Sequence, residues 1–257
     1  MSHISFSELK CWNDCAYKHK LMYIDRVQVF KGNEYTAFGK ALHEVCEHGI
    51  KDPSIKLDEY FLDCFEKEIN RLDQIPELRQ NLIESMFEQG PRLALRGIPA
   101  LKKEFGAFKI ISTEERLQEK ISFFNSFDFK GFIDVVIQTE DGKYHIIDWK
   151  TCSWGWDSKK RSDPMITYQL TLYKHFFAEK HNIDPKDIET YFALLKRTAK
   201  NNMVEIFRVT SGKKKTENAL NLVNKALYNI SRGFHIKNRL SCIRDYGCEF
   251  YKTKHCQ

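Results

Sequence analysis

Asp134, Asp148 and Lys150 have the side-chain types and the spacing to do chemistry together. The segment from Gly131 to Lys150 reads as two apolar strands joined by a turn, with Asp134 placed late in the first and Asp148 closing the second. A two-residue Asp141-Gly142 turn would pair Asp134 with Trp149 and send the two carboxylates to opposite faces. A three-residue loop, Glu140 to Gly142 with Gly142 left-handed, instead sets Asp134 directly opposite Asp148, their Cβ atoms about 5 Å apart. Lys150, two residues further on, projects from the same face. Two facing carboxylates repel unless a cation lies between them, and hard oxygen donors select Mg²⁺ or Mn²⁺. Such an ion would lower the pKa of a bound water and stabilise charge on a phosphate under attack. The neighbouring ammonium would orient the water or neutralise the developing charge.

Spacing alone carries none of this. An acid, any residue and a lysine also occur at Glu8-Lys10, Asp141-Lys143, Asp157-Lys159 and Asp184-Lys186, where an exposed loop or helix face suffices. Only Asp148-Lys150 closes an apolar strand, Tyr144 to Ile147, with an acid-bearing strand directly upstream. Burying such residues without a function would be costly.

The elements that must position these residues follow from the pattern of the chain. Ser5 and Glu8 have capping-box spacing, which predicts a helix to about Tyr23. Further helices are expected at 35–48, 57–72 and 77–105, the last interrupted around Gly90-Pro91 and Gly97-Ile98-Pro99. Past Lys109 come short β-branched and aromatic runs at 110–113, 116–124, 129–138 and 144–149, which predict a sheet. A helix at 164–179, strands at 190–196 and 204–209, and a helix at 216–232 complete the pattern. One domain over 1–257 is expected, with a mainly helical part at 24–108, a catalytic sheet core at 109–210 and a cysteine-bearing clasp at 240–257.

Of the 257 residues 42% are hydrophobic, enough for one sizeable core. The net charge of +6 suits a polyanion without requiring one. No apolar run approaches the roughly 18 residues of a membrane span, and Met1 to Ser5 lack a charged start followed by an apolar stretch. A soluble, cytoplasmic protein with no membrane partner is expected. Its eight cysteines are therefore expected to be reduced; Cys46, Cys64 and Cys152 sit among apolar neighbours as ordinary buried thiols. Three others, Cys242, Cys248 and Cys256, cluster in the last sixteen residues and suggest a metal or cluster site.

Four separated motifs occur in order: Gly39-Lys40-Ala41-Leu42-His43, Gly131-Phe132-Ile133-Asp134, Asp148-Trp149-Lys150 and Gln169-Leu170-Thr171-Leu172-Tyr173. Together they resemble the G-x-x-x-H, G-x-x-D, D-x-K and Q-x-x-x-Y motifs of the RecB-like branch of the PD-(D/E)XK nuclease superfamily. That resemblance implies an α/β, restriction-endonuclease-like core: a mixed central sheet flanked by helices, with a helical N-terminal region and a small cysteine-bearing C-terminal lobe. It implies metal-dependent hydrolysis of DNA phosphodiester bonds, with an exonuclease in recombination, repair or phage DNA processing favoured over an endonuclease or a non-catalytic nucleic-acid-binding module. The protein would work alone or beside a helicase or recombination protein.

By the same resemblance, His43, Asp134, Asp148 and the main-chain carbonyl of Trp149 would hold Mg²⁺ or Mn²⁺, with Lys150 beside the nucleophilic water. Gln169 and Tyr173 would shape the site and contact the nucleic-acid backbone; read alone, they and His43 could simply pack. Glu114, Glu115 and Glu119 lie where relatives carry an acid, and Glu115 is expected in a supporting role. Trp154, Trp156, Lys159, Lys160 and Arg161 form an aromatic and basic loop suited to stacking on bases and neutralising phosphates, or to docking on the core. Cys15, Cys242, Cys248 and Cys256 resemble the iron-sulfur clasp of AddB-type and CRISPR-adaptation nucleases, which implies a [4Fe-4S] cluster. The last three are spaced by five and seven residues, wider than the usual C-x-x-C. Zinc drawing on Cys11 or His255, or plain reduced thiols, are the alternatives.

Overall fold

The computed structural model describes residues 2–28, 30–72, 78–124, 126–243 and 247–257. The chain divides into a larger unit, Gly32–Arg116 with Phe132–Thr210, and a smaller unit, Met1–Lys31 with Leu117–Gly131 and Ser211–Gln257.

In the larger unit, three helices, α3 (Glu34–Lys51), α4 (Leu57–Asn70) and α5 (Gln80–Phe105), pack together. Asn33 caps α3 in a reciprocal box with Thr36. Phe38, Phe61 and Phe65 meet at centroid distances of 5.4–5.7 Å and anchor the helical layer. The helix α5 runs unbroken through Pro91 and Pro99, where an interruption is expected from sequence. Its buried positions, Ile83, Met86, Gly90, Leu93, Gly97 and Leu101, keep a three-four spacing straight through both prolines. Burial of that stripe outweighs the roughly 3 kcal/mol cost of an internal proline. Gly90 lets Phe61 lie flat on the helix, since a Cβ there would fall 1.9 Å from its ring. The expected first residue of this helix, 77, lies outside the described residues, and the helix itself begins at Gln80.

The sheet follows. Strand β2 (Phe108–Lys120) is continuous where two runs are expected, and it pairs with β3 (Phe127–Thr139). In the larger unit β3 runs antiparallel to β4 (Tyr144–Cys152), β4 parallel to β5 (Ile188–Lys196), and β5 antiparallel to β6 (Val204–Arg208). Both orientations occur, so the sheet is mixed. Between β4 and β5 lie a short helix, α6 (Ser158–Ser162), not foreseen from sequence, and α7 (Pro164–His181), capped by Asp163 with Pro164 at its first position. Residues Val135, Ile137, Ile147, Trp149, Ala193 and Leu195 on one sheet face bury against α3–α5. The unit is thus α/β, with helices flanking a mixed sheet, as the restriction-endonuclease-like expectation requires.

In the smaller unit a short parallel strand, β1 (Ser2–Ser5), pairs with the first residues of β3, Ile4 facing Phe129. The expected single helix to Tyr23 is three pieces: α1 (Phe6–Asp14), α2 (Ala16–His19) and a π turn (Lys20–Ile24). Ser5 accepts the Glu8 N–H as the box predicts, but Glu8 does not answer it; its carboxylate instead meets His19 Nε2 at 2.8 Å. The last helix, α8 (Lys213–Ser231), packs on α1. Among the described residues no helix is long and apolar enough to cross a membrane.

Candidate active site

The β3–β4 hairpin turns through Glu140 to Gly142, with Gly142 at φ +82° and Thr139 N–H donating to Lys143 O at 3.1 Å. This is the three-residue loop, and it fixes Val135 opposite Ile147. Continuing the register by one pair sets Asp134 opposite Asp148. In an antiparallel ladder hydrogen-bonded pairs alternate, so Trp149 N–H would next seek Ile133 O. It donates instead to Asp134 Oδ2 at 2.7 Å. The regular ladder ends where the carboxylates begin, and Asp134 takes over a backbone donor the strands have released.

Asp148 is 1% exposed. Its Oδ2 is ion-paired with Lys150 but receives no well-directed hydrogen bond, while Gln169 Nε2 donates to Oδ1 at 2.9 Å. Gln169 also donates to Tyr173 Oη at 3.3 Å, as positions one turn apart on α7 allow. From α3, His43 Nδ1 stands 3.4 Å from Asp134 Oδ2. Gly39 lets this helix approach β4: a Cβ there would lie 3.2 Å from Thr151 Oγ1. His43, Asp134, Asp148, Lys150, Gln169 and Tyr173 therefore converge from four elements, α3, β3, β4 and α7.

Their titration reflects that crowding. Burial, then the neighbouring Asp148 charge, raises the Asp134 pKa well above the usual carboxylate range. Burial disfavours the Lys150 ammonium, but Asp148 and Asp134 more than offset it and raise its pKa. Burial lowers the His43 pKa, favouring the neutral imidazole that a metal ligand must be. Burial, reinforced by Asp148, raises that of Tyr173. An open cavity of about 500 Å³ beside His43 is lined by Glu44, Glu47 and Glu114.

A family model described as the PD-(D/E)XK nuclease superfamily matches residues 3–256. The chain belongs to that superfamily. The crystal structure of a candidate exonuclease from Eubacterium rectale is similar to this nuclease at 14% identity and a TM-score of 0.57, covering 93% of this chain and 85% of that one; it supports the fold. The crystal structure of SSO0001 covers 83% and 84% at 14% identity, with a TM-score of 0.36. No curated protein matches the chain.

Elsewhere in this nuclease the expected residues divide. Glu115 turns away from the carboxylates: Ser112 and, at 2.9 Å and 2.5 Å, Lys180 and His181 bind it at the far end of α7. Glu114, at φ +48°, lies within electrostatic reach of Asp134 and His43, and Glu47 within reach of Asp134. The signal for Glu114 in the sequence was its place, with Glu115 and Glu119, where relatives carry an acid. Trp154 is 76% exposed, whereas Trp156 packs between Phe192 and Phe207. Lys159 and Lys160 lie on α6, Lys160 over the Trp156 ring at 4.9 Å. Arg161 is structural, donating to Trp156 O and pairing with Glu205.

In the smaller unit, Cys15 Sγ accepts the Asn238 N–H at 3.3 Å and the Lys18 N–H at 3.5 Å. Burial, followed by Cys248, Cys256 and Cys15 within electrostatic reach, raises the Cys242 pKa. Cys11 donates to Met22 Sδ, and burial pushes its pKa up to about 12. Among the described residues no three His, Cys, Asp or Glu side chains surround a point as a metal would require. In the carboxylate site the acceptors are turned instead to Lys150, Gln169, His43 and Trp149 N–H.

Proposed function

We propose that this nuclease hydrolyses DNA phosphodiester bonds with a divalent cation, Mg²⁺ or Mn²⁺, and that it acts from strand ends. The observation that carries the proposal is the facing pair Asp134 and Asp148, both closed in, with Lys150 the only ammonium reaching them among the described residues. An under-bonded Asp148 Oδ2, a neutral imidazole and a carboxylate held up in pKa form a donor set that fits a hard cation. His43, Asp134, Asp148 and the Trp149 carbonyl would hold it. Bound there, it would supply Lewis-acid stabilisation and a more acidic water.

The chain's own side chains do the rest. Lys150, once released from Asp148 Oδ2, presents an ammonium to the attacked phosphate and offsets its developing charge. Gln169 keeps Asp148 in one rotamer, and Tyr173 in turn keeps Gln169 oriented. Exposed Trp154 and the α6 lysines suit an incoming strand. The E. rectale protein's description as an exonuclease, and the motif order, support end-dependent action in DNA processing.

The cysteines support a second element of the proposal: Cys15, Cys242, Cys248 and Cys256 ligate an iron-sulfur cluster. Two backbone N–H groups already aimed at Cys15 Sγ suit a thiolate ligand. End dependence is tested by comparing labelled linear DNA with closed circular DNA in Mn²⁺. Loss of the linear substrate alone is expected; cutting of circles would move the assignment to an endonuclease.

A further inference from the structure

The formal charge is unevenly divided between the two units. The smaller unit carries 17 Lys and Arg against 8 Asp and Glu, net +9, and the larger carries 24 against 27, net −3. The unit that holds the carboxylates thus adds no net attraction for a polyanion, and the whole positive excess of the chain lies in the other.

Within the smaller unit that charge is interleaved with uncovered aromatic and aliphatic side chains after α8. Phe234 is 52% exposed and Ile236 75%, and the stretch 234–238 forms neither helix nor strand. It is nonetheless held: Tyr17 N–H donates to Ile236 O at 3.2 Å, Asn238 N–H to Cys15 Sγ at 3.3 Å, and Asn238 Nδ2 to Asp14 O at 2.9 Å. A loop pinned by its backbone while it turns apolar side chains to solvent has spent its ordering entropy before any ligand arrives. Cations stand beside aromatic faces along it, Arg232 over Tyr228 at 5.5 Å and Lys237 over Tyr17 at 4.7 Å. Ammonium and guanidinium groups beside the exposed Tyr228, Phe234 and Ile236 side chains suit phosphates and unpaired bases together.

We infer that Tyr228, Arg232, Phe234, Ile236, Lys237 and Arg239 form a docking surface for single-stranded nucleic acid. The inference rests on the proposed nuclease reading only for the class of ligand. A duplex hides its bases and would leave the exposed rings without partners.

The test is fluorescence anisotropy of a labelled oligothymidine with the full chain in EDTA, across a salt series, so that no cleavage is needed. Triple replacement Arg232→Ala, Lys237→Ala, Arg239→Ala should lower the slope of log K against log salt by about 2, at about 0.7 per phosphate neutralised on a single strand. Tyr228→Ala should weaken binding about tenfold with its salt slope kept. Lys56→Ala, Lys102→Ala, Lys103→Ala in the larger unit should leave both unchanged, and circular dichroism with a melt checks that each variant folds. Equal losses in both triple variants, no loss in either, tighter binding of duplex, or retention on anionic vesicles without oligonucleotide binding would each overturn the inference. A chain that binds as described yet cleaves nothing refutes the proposed hydrolysis and keeps this surface. One that cleaves while its binding ignores these residues does the reverse.

Discussion

Replacing Lys150 by methionine leaves the Asp148 carboxylate, 1% exposed, facing Asp134 with no cation beside it. A buried ion pair that loses one partner costs about 3–5 kcal/mol. Two features reduce the penalty here. Gln169 still donates to Asp148 Oδ1 at 2.9 Å, and Asp134, its pKa already raised by burial and by Asp148, readily holds a proton. A loss of about 2–3 kcal/mol near neutral pH is therefore expected, which at roughly 2–4 °C per kcal/mol for a chain of this size means about 5–10 °C in Tm. The sign of the pH dependence follows. A carboxyl whose folded pKa is raised binds protons better folded than unfolded, so its cost is absent below the unfolded value and is complete once pH has risen through the folded one. The deficit of Lys150→Met should accordingly narrow in acid. Mn²⁺ should take the place of the ammonium, and at about 100 times its Kd would add about 2.7 kcal/mol. In the wild type Lys150 must first release Asp148, so the variant should gain more. Thermal melts followed by circular dichroism, at neutral and mildly acid pH, with EDTA or Mn²⁺, provide the measurement. An unchanged Tm, or a deficit insensitive to both pH and Mn²⁺, would refute the reasoning.

Gln169→Leu, which keeps the side-chain volume, should slow single-turnover cleavage by about 10- to 100-fold, because it removes the donor that orients Asp148. It should also lower Tm, since the buried Asp148 Oδ1 and Tyr173 Oη lose that donor at about 1–3 kcal/mol. Glu115→Gln should cost about 1–3 kcal/mol at neutral pH. Burial alone would raise the Glu115 pKa, but hydrogen bonds from Ser112, Lys180 and His181 together depress it, so its stabilisation is full above the unfolded carboxyl value and is lost as pH falls through the folded one. Urea melts of the two proteins should therefore converge in acid. Anaerobically purified protein should be brown and contain iron, and Cys15→Ser with Cys242→Ser should abolish both; a colourless wild type holding zinc or no metal would dismiss the cluster.

Much of the fold was legible because the sheet strands carry their own period and punctuation. Of the two turns the sequence allows, the three-residue one through Glu140, Asp141 and a left-handed Gly142 is formed, and it set the register bringing Asp134 to Asp148. What was not legible depended on contacts distant in sequence. The four residues of β1 hold one buried apolar side chain, Ile4, and become a strand only by pairing with Phe129. Pro91 and Pro99 mark an interruption that tertiary burial overrides, although the unbroken spacing from Ile83 to Leu101 was available as a countersignal. Nothing in the run of Glu114, Glu115 and Glu119 told which acid would stand near the carboxylates; Glu115 is instead engaged by Lys180 and His181 at the end of α7. Glu8 found a better partner in His19 than the backbone its spacing promised.

The central claim, that Asp134 and Asp148 face each other to hold a cation for phosphodiester hydrolysis, is tested most directly by cleavage of end-labelled single- and double-stranded DNA. Wild type, Asp148→Asn and Lys150→Ala would be compared in EDTA, Mg²⁺ and Mn²⁺, with oligonucleotide binding measured on the same samples. Cleavage by the wild type only with a divalent cation, and by neither variant while binding persists, is the predicted result. Cleavage in EDTA, or undiminished cleavage by Asp148→Asn, would contradict it.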